Sequence, residues 1–127
     1  MSLFSIPIEE NISHIEIASL NFDQWILTVS LREYASNNVK GMSLCVFTGV
    51  EGFRLLDEGQ MLQYPWPDDT SRHYVVAVPD GGWLKQELSF GNAVSIDSAQ
   101  EYLVATNNEC LCVIAHDQPT FIQEASG

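Results

Sequence analysis

Residues 101–115 read EYLVATNNECLCVIA, the clearest strand pattern in the chain. Two apolar runs, Glu101–Thr106 and Glu109–Ala115, flank the pair Asn107 and Asn108. Short apolar runs bounded by turn residues are typical of buried strands. Asn tolerates the positive φ angles that a tight hairpin turn requires. The stretch therefore predicts an antiparallel β-hairpin.

The N-terminal half of the chain predicts a second hairpin. Ile12–Leu20 and Trp25–Tyr34 carry alternating apolar residues, and Asn21–Asp23 supplies a turn between them. Alternation with period two is the pattern of a strand that buries one face. Four residues of the second strand share that face: Trp25, Leu27, Val29 and Leu31. We expect all four to point into the core.

The remaining segments indicate more short strands and little helix. Strands are predicted at Met42–Thr48, Phe53–Leu56, Tyr74–Val78 and Thr120–Ile122. Less regular segments comprise a loop at Ala35–Gly41, one helical turn within Asp57–Tyr64, and Trp83–Phe90 as a short helix or a strand. Short strands with frequent turns predict a mainly β protein: an antiparallel sheet or β-sandwich with one or two short helices. An α+β fold is the alternative.

The length and charge of the chain narrow its organisation and its partners. The 127 residues predict a single domain over 1–127, with an ordered core at about 12–117 and a tail at 118–127. The formal net charge is −12, from 17 acidic against 5 basic side chains. Phosphate contacts require Lys and Arg, so this balance argues against nucleic acid and anionic membranes as partners. A basic protein would instead be attracted.

Three cysteines and the N-terminus predict a cytoplasmic protein. Cys110 and Cys112 lie two residues apart in an apolar run, so a strand would place them on one face, and Cys45 lies in another predicted strand. An odd number of thiols in apolar segments indicates reduced, buried cysteine. The N-terminal residues lack the pattern of a signal peptide, and no apolar run has the length of a membrane span.

The sequence predicts no catalytic residues, metal site or cofactor. Its His and Cys residues do not follow the spacing of zinc ligands, and it has no nucleophile elbow or phosphate-binding loop. Paired acids such as Glu9 and Glu10 are interpreted as solvated charge. An unrecognised enzyme, with His73 beside Asp68 or Asp69, stays open as a minor alternative.

Binding is the better-supported class. An aromatic side chain surrounded by acids suits a basic protein partner, because aromatic residues dominate binding hot spots and acids guide the approach. The candidate partner-binding residues are Glu51, Asp57, Glu58, Trp66, Asp68 and Asp69, with Trp66 as the anchor. Nearby, Arg54 is interpreted as a structural cation that pairs with a carboxylate on a neighbouring segment.

Three segments together resemble a group of small bacterial proteins. They are FTGVEGFRLLDE at 47–58, GWLKQE at 82–87, and EYLVAT with ECL at 101–111. The chain looks similar over residues 12–117 to small uncharacterised bacterial proteins, some of whose relatives are similar to toxin-neutralising immunity proteins. This resemblance implies a small β-rich domain and a binding role, and no catalytic residues come with it.

We therefore expect a non-enzymatic, acidic binding protein of the cytoplasm. Its most specific form is an immunity protein that binds and inhibits a basic toxin such as a nuclease, whose substrate cleft must be cationic. The alternative is a structural or regulatory module that forms a homo-oligomer through an exposed strand edge.

Overall fold

The computed structural model describes residues 4–57, 73–78, 99–106 and 109–123. These residues contain nine strands and no helix, so no membrane-spanning helix occurs among them. The strands are β1 (Ser5–Pro7), β2 (His14–Asp23), β3 (Ile26–Ala35), β4 (Asn38–Phe47), β5 (Val50–Asp57), β6 (His73–Ala77), β7 (Gln100–Ala105), β8 (Glu109–Ala115) and β9 (Thr120–Gln123).

The strands form two antiparallel sheets, which confirms the mainly β fold class. We name them sheet A, in the order β1-β6-β7-β8-β5, and sheet B, in the order β2-β3-β4-β9. Both predicted hairpins are present: β2 pairs with β3 and β7 pairs with β8, each antiparallel. The Thr106 N–H donates to the Glu109 carbonyl at 2.9 Å, which joins the neighbouring ends of β7 and β8.

One hydrophobic cluster joins the two sheets as a β-sandwich. Sheet B contributes inward residues of β3 and β4, and sheet A contributes inward residues of β7 and β8. The fully buried members include Leu27, Val29, Leu31, Phe47, Val104, Leu111 and Val113. The alternation of β3 was thus predicted correctly from Leu27 onward, since these side chains alternate with partly exposed ones.

A buried carboxylate also links the sheets. Glu33 of β3 is 2% exposed. It accepts a hydrogen bond from the Tyr74 hydroxyl of β6 and another from Gln123 Nε2 of β9 at 3.2 Å. A buried carboxylate is costly unless such donors satisfy it. Burial, followed by the hydrogen bond to Glu33, raises the pKa of Tyr74.

The opposite face of sheet A carries a second, smaller cluster. Its members are Leu56, Val76, Val78, Leu103, Cys110 and Cys112. Cys110 and Cys112 therefore share one face, as predicted. All three cysteines are buried and free, which confirms the expectation of reduced, buried thiols.

Several predicted boundaries were wrong. The turn of the first hairpin lies at Gln24 and Trp25, not at 21–23. The predicted loop at 35–41 is a two-residue turn at 36–37, because β3 and β4 extend into it. The strand predicted at 120–122 is present as β9, but it pairs with β4, so the ordered core extends into the predicted tail. The short strand predicted at 53–56 is part of the longer β5.

Two further outcomes concern the ends of the chain and the helices. The strand β1 was not predicted, yet it pairs with β6 and so extends sheet A beyond the expected core. The predicted helical segment at 83–90, and all but the first residue of the one at 57–64, lie outside the described residues.

Candidate functional site

The turn between β2 and β3 holds a large aromatic residue in an unusual backbone conformation. Gln24 and Trp25 have φ angles of 51° and 67°, and Asp23 pairs with Ile26 on either side of them. Two consecutive positive φ values fit the right-handed twist of a hairpin, but Asn and Gly are the residues that usually adopt them. A bulky side chain at positive φ is strained, and strained residues are found most often at functional sites.

Trp25 presents most of its side chain to solvent. It is 66% exposed, the highest value among the large apolar residues that the structure describes as exposed. This corrects the prediction that Trp25 lies on the buried face of β3. The pattern of β3 begins one residue later, at Ile26, because the turn takes Trp25 out of the alternation.

Contacts on both sides hold the turn in place. The Phe22 ring meets the Trp25 ring edge to face, with centroids 6.3 Å apart. The Val50 N–H, at the beginning of β5, donates to the Trp25 carbonyl at 3.0 Å. The hairpin of sheet B is therefore joined to the edge strand of sheet A at this point.

The exposed apolar surface continues from the turn onto β5. The Phe22 and Phe53 rings lie 5.3 Å apart, and Leu55 follows Phe53 on the same face of the strand. Three side chains of this region are exposed between 44% and 66%, and we call them the tip patch: Phe22, Trp25 and Leu55. Ile26, which alternates with the buried Leu27, lies on the opposite face of sheet B. Single exposed apolar residues are ordinary, but a contiguous group is typical of an interaction site.

Acidic side chains lie near the tip patch in the chain. Asp23 adjoins the turn, while Glu51 and Asp57 lie at the two ends of β5, and all three are exposed. Glu51 Oε1 lies 2.8 Å from His116 Nε2, and the Glu51 side chain retains 30% of its surface exposed. Apolar side chains with acids nearby are the composition that the sequence predicts for a binding site around Trp66, and a binding role for this surface stays a prediction.

The segment before Glu51 is fixed by a tight approach to the end of β8. Thr48 Oγ1 donates to Asp117 Oδ2 at 3.0 Å, and His116 N–H donates to the Gly49 carbonyl at 3.0 Å. Gly49 has a φ of 63°, and a Cβ there would lie 3.3 Å from His116 Cβ. Glycine is therefore needed at this position, and the resulting turn sets where Glu51 projects.

Only part of the predicted site can be located. Glu51 and Asp57 belong to β5, whereas Glu58, Trp66, Asp68 and Asp69 lie outside the described residues. Phe22 and Trp25 were not predicted as binding residues. The sequence did contain a hint of this site, because Trp25 directly follows Asp23 and Gln24. These residues fit a hairpin turn as well as the beginning of a strand.

A second group of chemically interesting residues lies on the outer face of sheet A. Arg54 is the register partner of Cys112 across β5 and β8. The thiol of Cys110 hydrogen bonds to Cys112, and this bond raises the pKa of Cys110. The same bond lowers the pKa of Cys112, with help from Arg54, while burial and Glu101 act in the opposite direction.

The arrangement thus favours thiolate on Cys112 over Cys110. Arg54 hydrogen bonds to Cys112 and its charge acts on both thiols, while its predicted pairing with a carboxylate stays a prediction. Both thiols are fully buried, which restricts their reaction with solutes. Among the described residues, no three His, Cys, Asp or Glu side chains come together as metal ligands do.

Comparisons with protein-family models, with curated proteins and with solved structures return no match to this chain.

Proposed function

We propose that this chain is a non-enzymatic protein-binding domain that works as an immunity protein in the cytoplasm. It would bind a basic toxin, such as a nuclease, and inhibit it by covering the cationic surface that the toxin needs for its substrate. The observation that carries the proposal is the tip patch, which includes the exposed ring of Trp25, together with the exposed acids Asp23, Glu51 and Asp57 that lie near it in the chain. The resemblance noted above adds the specific link to immunity.

The patch has the composition of a binding hot spot. Trp is the residue type most enriched among residues that dominate binding energy, and such residues are surrounded by others that exclude water. Trp25 meets this description because it is held by Phe22 and by the bond from Val50, yet leaves most of its ring exposed. A rigid anchor loses little conformational entropy on binding.

The charge of the chain suits a basic partner. A formal charge of −12 on 127 residues attracts a cationic protein over several ångströms and accelerates the encounter. Nucleases carry cationic clefts because they bind phosphate backbones. An acidic protein that occupies such a cleft would compete directly with nucleic acid, so the proposed inhibition would need no catalytic group.

Affinity capture from a lysate of the source cells tests the proposal. The wild-type chain is compared at low salt with Trp25→Ser and with Asp57→Lys. The matched control is Glu10→Lys, which changes the net charge equally but lies in the connection between β1 and β2. We expect a basic protein that is captured by the wild type and the control and is lost from both patch variants.

Purification of that protein gives the decisive measurements. Trp25→Ser should weaken its binding at least ~30-fold, the loss expected for a hot-spot aromatic residue. Its association rate with the wild type should fall steeply as salt rises. A captured protein that is not basic, or one whose toxic activity continues when it is saturated with this chain, would contradict the proposal.

A further inference from the structure

We propose that the partner docks as an extended strand along the edge of β5, with a basic side chain near each end and apolar side chains between them. This inference rests on the proposed function and specifies the chemistry of the partner segment that the site accepts. It is carried by the position of β5 in its sheet, by the faces of its side chains and by the charges at its ends.

β5 is the last strand of sheet A, and in the described part of the chain it pairs only with β8. An edge strand presents backbone donors and acceptors that another strand can bind. The pairing with β8 shifts register between Val50 and Gly52, which makes Glu51 the extra residue of a bulge. Because a bulge interrupts regular pairing, the regular edge runs from Gly52 to Asp57.

The two faces of this edge differ. Phe53, Leu55 and Asp57 alternate on one face, where Leu55 is 46% exposed. Arg54 and Leu56 lie on the other, and Leu56 belongs to the buried outer cluster. A partner strand added to β5 would therefore pack its apolar side chains against Leu55 and Phe53, and it would do so on this face only. The Trp25 ring, joined to this region through Phe22, extends the same apolar surface.

The acids specify the ends of the partner segment. Glu51 and Asp57 lie six positions apart, which corresponds to at most about 20 Å along an extended strand, and the bulge at Glu51 shortens this distance. Basic side chains six positions apart on the added strand would reach both acids. Apolar side chains at the two alternate positions between them would contact the tip patch. The expected segment is therefore basic at its ends and apolar at alternate central positions.

The same charges disfavour a second copy of this chain as the occupant. Antiparallel pairing of two β5 strands would bring Glu51 of one copy beside Asp57 of the other, twice. Like charges directly opposite each other destabilise a strand pair, and each copy carries a formal charge of −12. Charge complementarity selects a basic strand instead.

Synthetic nonapeptides test the inference on the intact chain. The probe peptide has Lys at its second and eighth positions, Val at the fourth and sixth, and Ser or Thr elsewhere. Its matched control exchanges the Lys and Val positions, so composition and charge are unchanged. A second control replaces the central residue by Pro, which removes a backbone donor and resists strand pairing.

We expect the probe to bind about ten-fold more tightly than the exchanged peptide, the effect of two surface ion pairs together. Amide hydrogen exchange of residues 52–57 should slow on binding, because new backbone hydrogen bonds form there. The Pro peptide should bind weakly and leave that exchange unchanged. Asp57→Lys should remove the preference for the probe, and the peptide comparison itself needs no variant of the chain.

Equal binding of the probe and exchanged peptides overturns the inference, as does binding without protection of residues 52–57. A dimer of this chain that is lost on Leu55→Ser also overturns it, because the edge would then be self-paired. If the captured basic protein depends on Trp25 but protects only residues 22–26, the strand-addition inference fails while the proposed function stands. If no basic protein is captured, the proposed function itself fails.

Discussion

Replacing Trp25 by glycine separates a binding role from a structural role at the hairpin turn. The change removes the exposed ring and at the same time provides the residue that best tolerates a φ of 67°. If the Trp25 ring serves binding, its removal should change the free energy of unfolding only slightly. If the ring instead packs the fold, its removal should lower the free energy of unfolding by as much as the truncation of a core residue.

The magnitude follows from the exposure of the ring. Trp25 is 66% exposed, so about a third of a side-chain surface of ~150–250 Å² is buried, which at ~25 cal/mol per Å² contributes roughly 1.3–2 kcal/mol. Glycine has no Cβ and adopts the left-handed conformation without strain, so the replacement also stabilises the fold by about 1–2 kcal/mol. The two effects nearly cancel, and we expect the free energy of unfolding to change by less than ~1 kcal/mol.

Urea denaturation monitored by circular dichroism measures this change, with Leu27→Ala as the reference. Leu27 is fully buried two residues further along the chain, and its truncation should cost about 2–5 kcal/mol. In parallel, binding of the basic partner should weaken by ~30-fold or more. A loss of stability above ~2 kcal/mol for Trp25→Gly would refute the reasoning, because the ring would then be a structural residue.

Three further predictions concern the buried polar groups. Tyr74→Phe removes the donor to Glu33 and should lower the free energy of unfolding by about 1.5–3 kcal/mol in urea denaturation, because a buried carboxylate loses a partner; an unchanged value would contradict the role of this bond. Burial raises the pKa of Cys45 to about 12 from an ordinary value near 9, so the unfolded chain loses its proton first. The stability that Cys45 contributes is thus present below pH 9 and falls by about 1.4 kcal/mol per pH unit between pH 9 and 12; Cys45→Ala should show a shallower decline, and equal slopes would count against the shift. Alkylation followed by mass spectrometry should leave all three cysteines largely unmodified at neutral pH without denaturant, because each is fully buried; rapid labelling of Cys112 would contradict that burial.

The sequence predicted the strands that bury a complete face and missed features set by distant contacts. Leu27, Val29 and Leu31 alternate with polar residues, so their burial could be inferred locally. The end of that pattern could not, because either Trp25 or Ile26 could begin the strand. The Phe22–Trp25 contact and the bond from Val50 favour the turn that exposes Trp25, and neither is visible in local periodicity.

The same limit explains the ends of the fold. The short strands β1 and β9 are three and four residues long, and each is held at the edge of a sheet by a distant partner. Their sequences carry too few alternating residues to predict pairing. The Glu33–Tyr74 bond is similar, since 41 positions separate its members. Contacts of this kind depend on the assembled sandwich.

The two faces of β5 differ, which would let one short strand serve both the fold and the proposed binding. Alternation sends Arg54 towards the thiols of the outer face and Leu55 towards the exposed apolar surface. Arg54 is one of only five basic side chains in the chain, and its use at Cys112 keeps it away from the acids that lie near the tip patch. A cation on the Leu55 face would repel the basic segment that we propose as partner. The placement of Arg54 therefore preserves the negative edge of β5 while contributing its charge to the outer face of sheet A.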